Sequence, residues 1–342
     1  MKGSSILIDR RDGRSIAARL VDGRLDDLLI DAADDVPRIG AIYRAKVSRL
    51  TKGLHGAMLD MGAGHGFLKA AKGLREGQTI LVQVASISEP GKAPPVTTRL
   101  LFKSRYAIVT PDAPGLNVAR SIHDEDERVR LLDLAQAGMQ HAPDGIGLIL
   151  RSGCAAADDA TIQIDIAQML GLCVQVVSDT DSMPALLLDA PDAATQAWID
   201  WDGDAVIRHD GCFADHSVWD MIADLSHPLV RLAGGATMFV EPTRAVVAVD
   251  VNTGGDFSPA AGLKANLAAA KALPRALRLR GLGGQIAVDF APMAKKDRRL
   301  VEQALRKSLR LDGIDTVLAG WTPLGHLELQ RKRARRPLAE LL

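Results

Sequence analysis

Two short runs, AVVAVDVN (Ala245–Asn252) and QIAVDF (Gln285–Phe290), most constrain the fold of this chain. Each carries apolar residues up to an aspartate, Asp250 in the first and Asp289 in the second. The intervening GLKANLAAAKALPRALRLR has the period of a helix and closes at GLGG. A strand, a helix and a strand in this order favour parallel strands joined by a right-handed crossover. Asp250 and Asp289 then share the carboxy-terminal edge of one sheet, where open α/β sheets bind ligands. Neighbouring strands lie about 4.8 Å apart, so carboxylates leaving matching positions can converge on one cation. A divalent ion removes their mutual repulsion. Oxygen ligands with no His or Cys nearby in sequence suit Mg²⁺ or Mn²⁺ rather than zinc. Asn252, two residues after Asp250, shares its strand face and can orient a ligand water or a substrate oxygen. Either aspartate alone is as readily a strand-end cap; the pair in one unit carries the metal reading.

Carboxylate-held Mg²⁺ beside basic residues suggests phosphoryl chemistry, with the ion activating water and neutralising charge at phosphorus. KKDRRLVEQALRKSLR reads as the next helix, and Lys295, Arg298 and Arg299 at its start can contact a phosphate. A solvated helix face is the plainer alternative for each of them. Net charge over the 342 residues is zero, but it is unevenly distributed. Residues 36–106 hold 12 Lys/Arg against 3 Asp/Glu, and residues 250–342 hold 17 against 9. Two basic modules in an otherwise acidic chain suggest a focused polyanion site.

The first 35 residues read as short antiparallel strands with DG turns. Residues 38–102 read as short strands with glycine turns, the pattern of a small OB-type barrel. DEDERVRLLDLAQAGMQ reads as a helix with an acidic first turn. GIGLILRSG reads as a buried strand, and residues 159–215 as alternating short helices and strands. Cys154, Cys173 and Cys212 are far apart and form no CxxC pair, which argues for a reducing compartment and against a zinc site. No uninterrupted apolar run reaches the roughly 18 residues of a membrane span. The amino terminus lacks a secretory signal, so the expectation is a cytoplasmic protein with no membrane span.

These residues also carry a resemblance. The blocks AVVAVDVNTGGDF, LRLRGLGGQIAVDFAPM and GHLELQRKR, in this order, resemble the catalytic region of the ribonuclease E/G family of endoribonucleases. IGAIYRAKVSRL, GAMLDMGAGHGFLKA and KAPPVTTRLLFKSRYAIVTP resemble that family's S1-like RNA-binding barrel, and GIGLILRSG its 5′-end sensor. The similarity is clearest over residues 36–153 and 213–336, weaker over 1–35 and poor over 154–212. It implies an α+β, multi-subdomain fold. An RNase H-like subdomain (1–35 and 181–227) would hold an inserted barrel (36–106) and a shortened sensor region (107–180). A DNase I-like α/β catalytic subdomain (228–342) would follow.

Carried over, the resemblance gives Asp250 and Asp289 the catalytic Mg²⁺, Asn252 an orienting role and Arg299 a matching basic position. Phe67, in the Gly-rich GHGFL that reads as a turn, would stack on a base. Lys92 would contact the RNA backbone near the cleavage site. Arg151 and Ser152 would bind a 5′-monophosphate; a structural ion pair is the competing reading of Arg151. The implied activity is Mg²⁺-dependent endonucleolytic cleavage of single-stranded RNA, stimulated by a 5′-monophosphate and leaving a 5′-phosphate. The implied substrates are A/U-rich ribosomal or messenger RNA.

Three features depart from the family pattern, and Pro274 stands apart from them as a helix-interior proline. No CPxC zinc link follows the RKR element, so a homodimer, if formed, would not use zinc. The segment between Arg151 and Asp250 is several tens of residues shorter than usual. Met58 stands where the barrel usually offers a second aromatic. Pro274 inside the long helix is expected to kink it. The rival readings are an RNA-binding protein of the same fold with weak or lost cleavage, and a Mg²⁺ enzyme acting on DNA or small phosphodiesters.

Overall fold

The computed structural model describes residues 3–342 except 33–35, 52, 54 and 90, with the backbone alone at 156. The domain boundary expected at residue 35 lies outside the described residues. The chain divides into two compact units, Met1–Ala33 with Gly203–Leu342, and Asp34–Asp202.

The first unit begins with β1 (Ser4–Arg11), β2 (Arg14–Val21) and β3 (Arg24–Ile30), an antiparallel meander. Both connecting turns are Asp-Gly, Asp12-Gly13 and Asp22-Gly23, and all four residues have positive φ. That is the backbone a two-residue hairpin needs, and the reason this dipeptide recurs there.

In the second unit, β4 (Ile42–Thr51), β5 (Gly56–Asp60), β6 (His65–Lys69), β7 (Thr79–Val84) and β8 (Pro95–Thr97) close into a five-stranded barrel. Closure comes from β4, which pairs with β5 on one side and β7 on the other. Tyr43, Ala45, Val47, Leu59, Leu68, Val82 and Val84 fill the interior. Alternation along β4 leaves Lys46 exposed, and the register shift after Val47 exposes Arg49 as well; Lys69, Lys72 and Arg75 are also exposed.

A second sheet follows, with order β11-β12-β10-β9. Its strands are β9 (Phe102–Lys103), β10 (Ala107–Thr110), β11 (Gly115–Val118) and β12 (Gly147–Leu150). The helices α1 (Glu125–Gly138) and α2 (Asp159–Val177) share a core with it, built on Phe102, Val109, Leu131, Leu148, Ile162 and Ile166. Asp124 caps α1 by accepting the Glu127 amide at 2.9 Å, and Asp158 caps α2 by accepting the Thr161 amide at 2.9 Å. The 19-residue α2 corrects the expectation of only short elements after residue 159. Ile162, Ile166, Cys173 and Val176 fall on one buried face at helical spacing, a signal partly hidden by apolar residues on the outer face. This helix is also long and apolar enough on average to cross a bilayer, although polar residues interrupt its apolar runs. Its buried face packs on the sheet of its own unit. Beyond it, β13 (Ala185–Leu188) pairs with β4, and α3 (Ala193–Asp200) ends the unit.

The first unit resumes with β14 (Ala205–Arg208), which pairs parallel to β1, then α4 (Cys212–Asp215) and α5 (Val218–Leu225). A six-stranded sheet follows, with order β15-β16-β17-β18-β20-β19. Its strands are β15 (Leu229–Arg231), β16 (Thr237–Pro242), β17 (Val247–Asn252), β18 (Gly284–Asp289), β19 (Thr316–Trp321) and β20 (Leu327–Arg331). The helices α6 (Ala261–Leu279) and α7 (Arg298–Asp312) join β17 to β18 and β18 to the closing hairpin. Val247, Val249, Val251, Ile286 and Val288 share one core with Ala269, Leu273, Leu277, Val301 and Leu305, so both helices cover the same face. The helix α6 runs on through buried Pro274, which sits inside its assigned span.

The basic carboxy-terminal run is not a solvated patch. Arg331 is 1% exposed and meets Asp312 at 2.5 Å, where Arg278 also pairs. Arg335 pairs with buried Asp27. The sequence count of basic residues therefore overstates the cationic surface at this end of the chain.

Candidate functional site

Alternation along β17 turns Val247, Val249 and Val251 into the core and Ala248, Asp250 and Asn252 outward. The same alternation in β18 buries Ile286 and Val288 and leaves Gln285 and Asp289 exposed. The two strands are parallel neighbours, and Asp250 is the register partner of Asp289. The pair therefore stands side by side near the carboxy-terminal ends of both strands, on the sheet face opposite α6 and α7. Asp250 is thus no buried charge; its strand is apolar because the other face is covered and Ala248 is small.

Asn252 Nδ2 donates to Asp250 Oδ2 at 2.7 Å, which holds that carboxylate in one orientation. The chain beyond Asn252 turns at Gly254, with φ +64°; a Cβ there would lie 2.3 Å from the Gly235 carbonyl oxygen. Only glycine allows that approach. Phe239 is the partner of Asp250 on β16, so an aromatic ring flanks the carboxylates in the same row.

Sequence reading missed one neighbour. Val288 pairs with Leu327, which sets His326, the next residue back along the chain from β20, beside Asp289. Its Nε2 lies 3.9 Å from Asp289 Oδ2, and the Thr322–His326 turn bonds fix its backbone. The signal was absent from local sequence because 37 positions separate His326 from Asp289. Phe257, 93% exposed, follows β17 in the same loop as Gly254 and presents a face on which a base can stack.

Among the described residues no group of three or more His, Cys, Asp or Glu side chains is placed to hold a metal ion. Two exposed carboxylates in register nevertheless fit Mg²⁺. That ion keeps several waters and binds through one or two carboxylates together with substrate phosphate.

The first turn of α7 contains Arg298 and Arg299 and no acidic residue, with Lys295 and Lys296 just before it. Cations there oppose the helix dipole, so helix stability does not explain them. Arg298 is committed to the Trp321 ring, 4.4 Å from its centroid, whereas Arg299 is exposed.

In the second unit, Phe67 lies within β6, opposite Met58, and not in a turn. It is half-buried, and a Cβ on Gly56 would meet its ring at 2.5 Å, so the glycine makes room for it. Lys92 is on an exposed loop and pairs with Glu89 at 2.5 Å. Arg151 is one-fifth exposed. Its Nη1 donates to the carbonyls of Ser104 at 2.5 Å and Ile199 at 2.8 Å, and its Nη2 to Asp200 Oδ1 at 2.8 Å. Ser152 is exposed and opens the 3-10 turn Ser152–Ala156. The structure thus brings Asp250, Asn252 and Asp289 together and sets Arg299 in the first turn of the helix that follows β18. It places Phe67, Lys92, Arg151 and Ser152 in the second unit.

The similarities to known proteins follow the same residues. Ribonuclease E of Escherichia coli (strain K12) is 27% identical over 399 residues, covering 98% of this chain and 37% of that protein. Ribonuclease E of Nostoc sp. is 27% identical over 385 residues, covering 95% of this chain and 55% of that protein. Ribonuclease G of Salmonella typhimurium is 25% identical over 403 residues, covering 99% of this chain and 82% of that protein. The chain therefore spans about half or less of the length of these ribonuclease E relatives. The profile of the Ribonuclease E/G family matches residues 102–208 and 204–334, a stretch that includes Arg151, both aspartates and α7. Matched over more than half of its length, and with a mixed α+β fold and closed barrel consistent with that match, the chain belongs to the ribonuclease E/G family.

Proposed function

We propose that this protein is a Mg²⁺-dependent endoribonuclease that cleaves single-stranded RNA in ribosomal or messenger RNA processing or decay. The observation that carries the reading is the in-register, outward pair Asp250 and Asp289 on the parallel β17–β18 unit. Asp250 and Asp289 would hold Mg²⁺, with Mn²⁺ as a substitute. Bound there, the ion supplies Lewis acidity toward a phosphodiester and an activated water. Asn252 keeps the Asp250 carboxylate oriented, and Arg299 offers a bidentate donor to phosphate oxygens.

The exposed lysines and arginines of the barrel support backbone binding, and Phe67 a stacking contact. Phe67→Ala is expected to weaken RNA binding by about 1–3 kcal/mol, read by fluorescence anisotropy. Lys92 adds an exposed cation, and Arg151 with Ser152 would receive a 5′-monophosphate that stimulates cleavage. In this reading β1–β3 and β14 belong to an RNase H-like subdomain, and the β15–β20 sheet with α6 and α7 to a DNase I-like catalytic subdomain. The three free, buried thiols suit a reducing cytoplasm.

A second reading, an RNA-binding protein of this fold with weak cleavage, draws on the lack of a third preassembled ligand among the described residues. A labelled single-stranded RNA incubated with Mg²⁺ or with EDTA separates the two. The proposal expects Mg²⁺-dependent internal cuts that vanish in Asp250→Asn and in Asp289→Asn. Binding without cleavage by the unsubstituted protein would favour the second reading, and cleavage surviving either substitution would remove the metal assignment.

A further inference from the structure

We infer that Asp200 is a tethered counter-anion on the cluster proposed to receive the 5′ end, competing with a substrate 5′-phosphate for Arg151 and Lys103. The inference rests on the proposed 5′-phosphate role of Arg151. Asp200 Oδ1 accepts from two cations at once, Lys103 Nζ at 2.5 Å and Arg151 Nη2 at 2.8 Å. Its other oxygen accepts from Gln196. Two cations on one carboxylate oxygen is the arrangement a phosphate oxygen would adopt with the same donors.

Helix stability does not account for this carboxylate. Asp200 is the last residue of α3, where the helix dipole disfavours a negative charge. The cations hold it there. The segment around it is pinned by the same basic cluster. Arg105 stacks on Trp198 at 4.4 Å, donates to the Trp198 and Trp201 carbonyls at 2.5 and 3.1 Å, and pairs with Asp202 at 2.9 Å. Residues 198–202 therefore lie across Lys103, Arg105 and Arg151 as an acidic strap.

The competition has a local geometry. Asp200 is 29% exposed at its side chain and Arg151 19%, so the pair sits where solvent and ligand reach it. Arg151 Nη1 keeps its three carbonyl acceptors, Ser104, Arg105 and Ile199, whichever anion Nη2 receives. An arriving phosphate needs only to displace one carboxylate, with the guanidinium already oriented. The consequence is a sensor whose preference for 5′-monophosphate over 5′-hydroxyl is small until the internal anion is removed.

The test compares a short single-stranded RNA bearing a 5′-monophosphate with the same RNA bearing a 5′-hydroxyl. Binding is read by anisotropy in EDTA, and cleavage in Mg²⁺. Asp200→Asn is expected to raise the monophosphate-to-hydroxyl affinity ratio by about tenfold, the scale of one charge-assisted hydrogen bond to the phosphate. Adding Arg151→Gln should abolish that increase. If Asp200→Asn does not fold, Asp200→Ser removes the same charge and is read by the same ratio. A purely structural role would change both RNAs alike and leave the ratio in place. A ratio unchanged in Asp200→Asn but lowered by Arg151→Gln alone overturns the inference and leaves the 5′-phosphate role of Arg151 standing; a ratio unchanged in both removes that role and the inference with it. RNA bound by none of the proteins removes the ribonuclease reading and the inference with it.

Discussion

The Asp250–Asp289 face and the Arg151 cluster handle charge in opposite ways. On the sheet, two carboxylates stand exposed and in register, and among the described residues the only basic group within 4.0 Å of either is His326. Around Arg151, each cation has an internal partner: Asp200 serves Lys103 and Arg151, and Asp202 serves Arg105. A charge cluster that the chain leaves open is built for a partner from outside. A cluster that it closes is held by the fold, and any outside ligand must compete. The first unit shows the closed pattern at its extreme in Asp312, which is 2% exposed between Arg278 and Arg331.

That contrast can be broken most sharply by removing one charge from each kind of cluster. Asp289→Asn should lower RNA cleavage on the order of a thousandfold, the scale of losing one preorganised electrostatic stabiliser. Its urea midpoint should move little, because an exposed carboxylate contributes within about 0.5 kcal/mol to stability. Asp312→Asn should do the reverse to the fold. It leaves the buried Arg331 guanidinium without a carboxylate and takes one of three from Arg278, at about 3–5 kcal/mol, and a urea titration should show it.

Asp27 extends the same comparison to pH. Burial pushes its carboxyl up, but the Arg335 and Arg278 guanidinium groups and the Leu28 amide outweigh that and hold it below the usual range. A folded-state pKa below the unfolded value gives stability that is complete above the unfolded pKa and lost as pH falls through the folded one. The urea midpoint should therefore decline as pH drops below about 4, and Asp27→Asn should flatten that decline. The smallest effect belongs to Lys92, 70% exposed and already paired with Glu89. Lys92→Ala should leave stability within about 1 kcal/mol and weaken RNA binding only slightly, with a smaller salt dependence.

The elements that local pattern specifies were legible in sequence. The DG hairpins, the barrel strands, the Asp124-capped helix and the β17–α6–β18 unit all follow from turn residues, alternation and period. Asp250 and Asp289 were legible for the same reason, since two similar strands in one crossover predict matching positions. What local sequence could not supply was side-chain partnership across long separations. Arg331 and Arg335 count toward the basic balance of residues 250–342 and instead neutralise Asp312 and Asp27. His326 reaches Asp289 only through the β18–β20 pairing. Phe67 reads as a turn residue from its glycines, yet Gly66 and Phe67 lie in a strand and Gly56 on the neighbouring strand supplies the space for the ring. The helix α2 was obscured because its outer face carries Ile164, Val174 and Val177, which blur the period of the buried one.

The central claim is that the open carboxylate pair is a cation site. Titration of the protein with Mn²⁺, followed by electron paramagnetic resonance without RNA or turnover, tests it most directly. The account predicts one bound ion per chain, competed by Mg²⁺, and lost in both Asp250→Asn and Asp289→Asn. Binding that is undiminished in those two variants would contradict it.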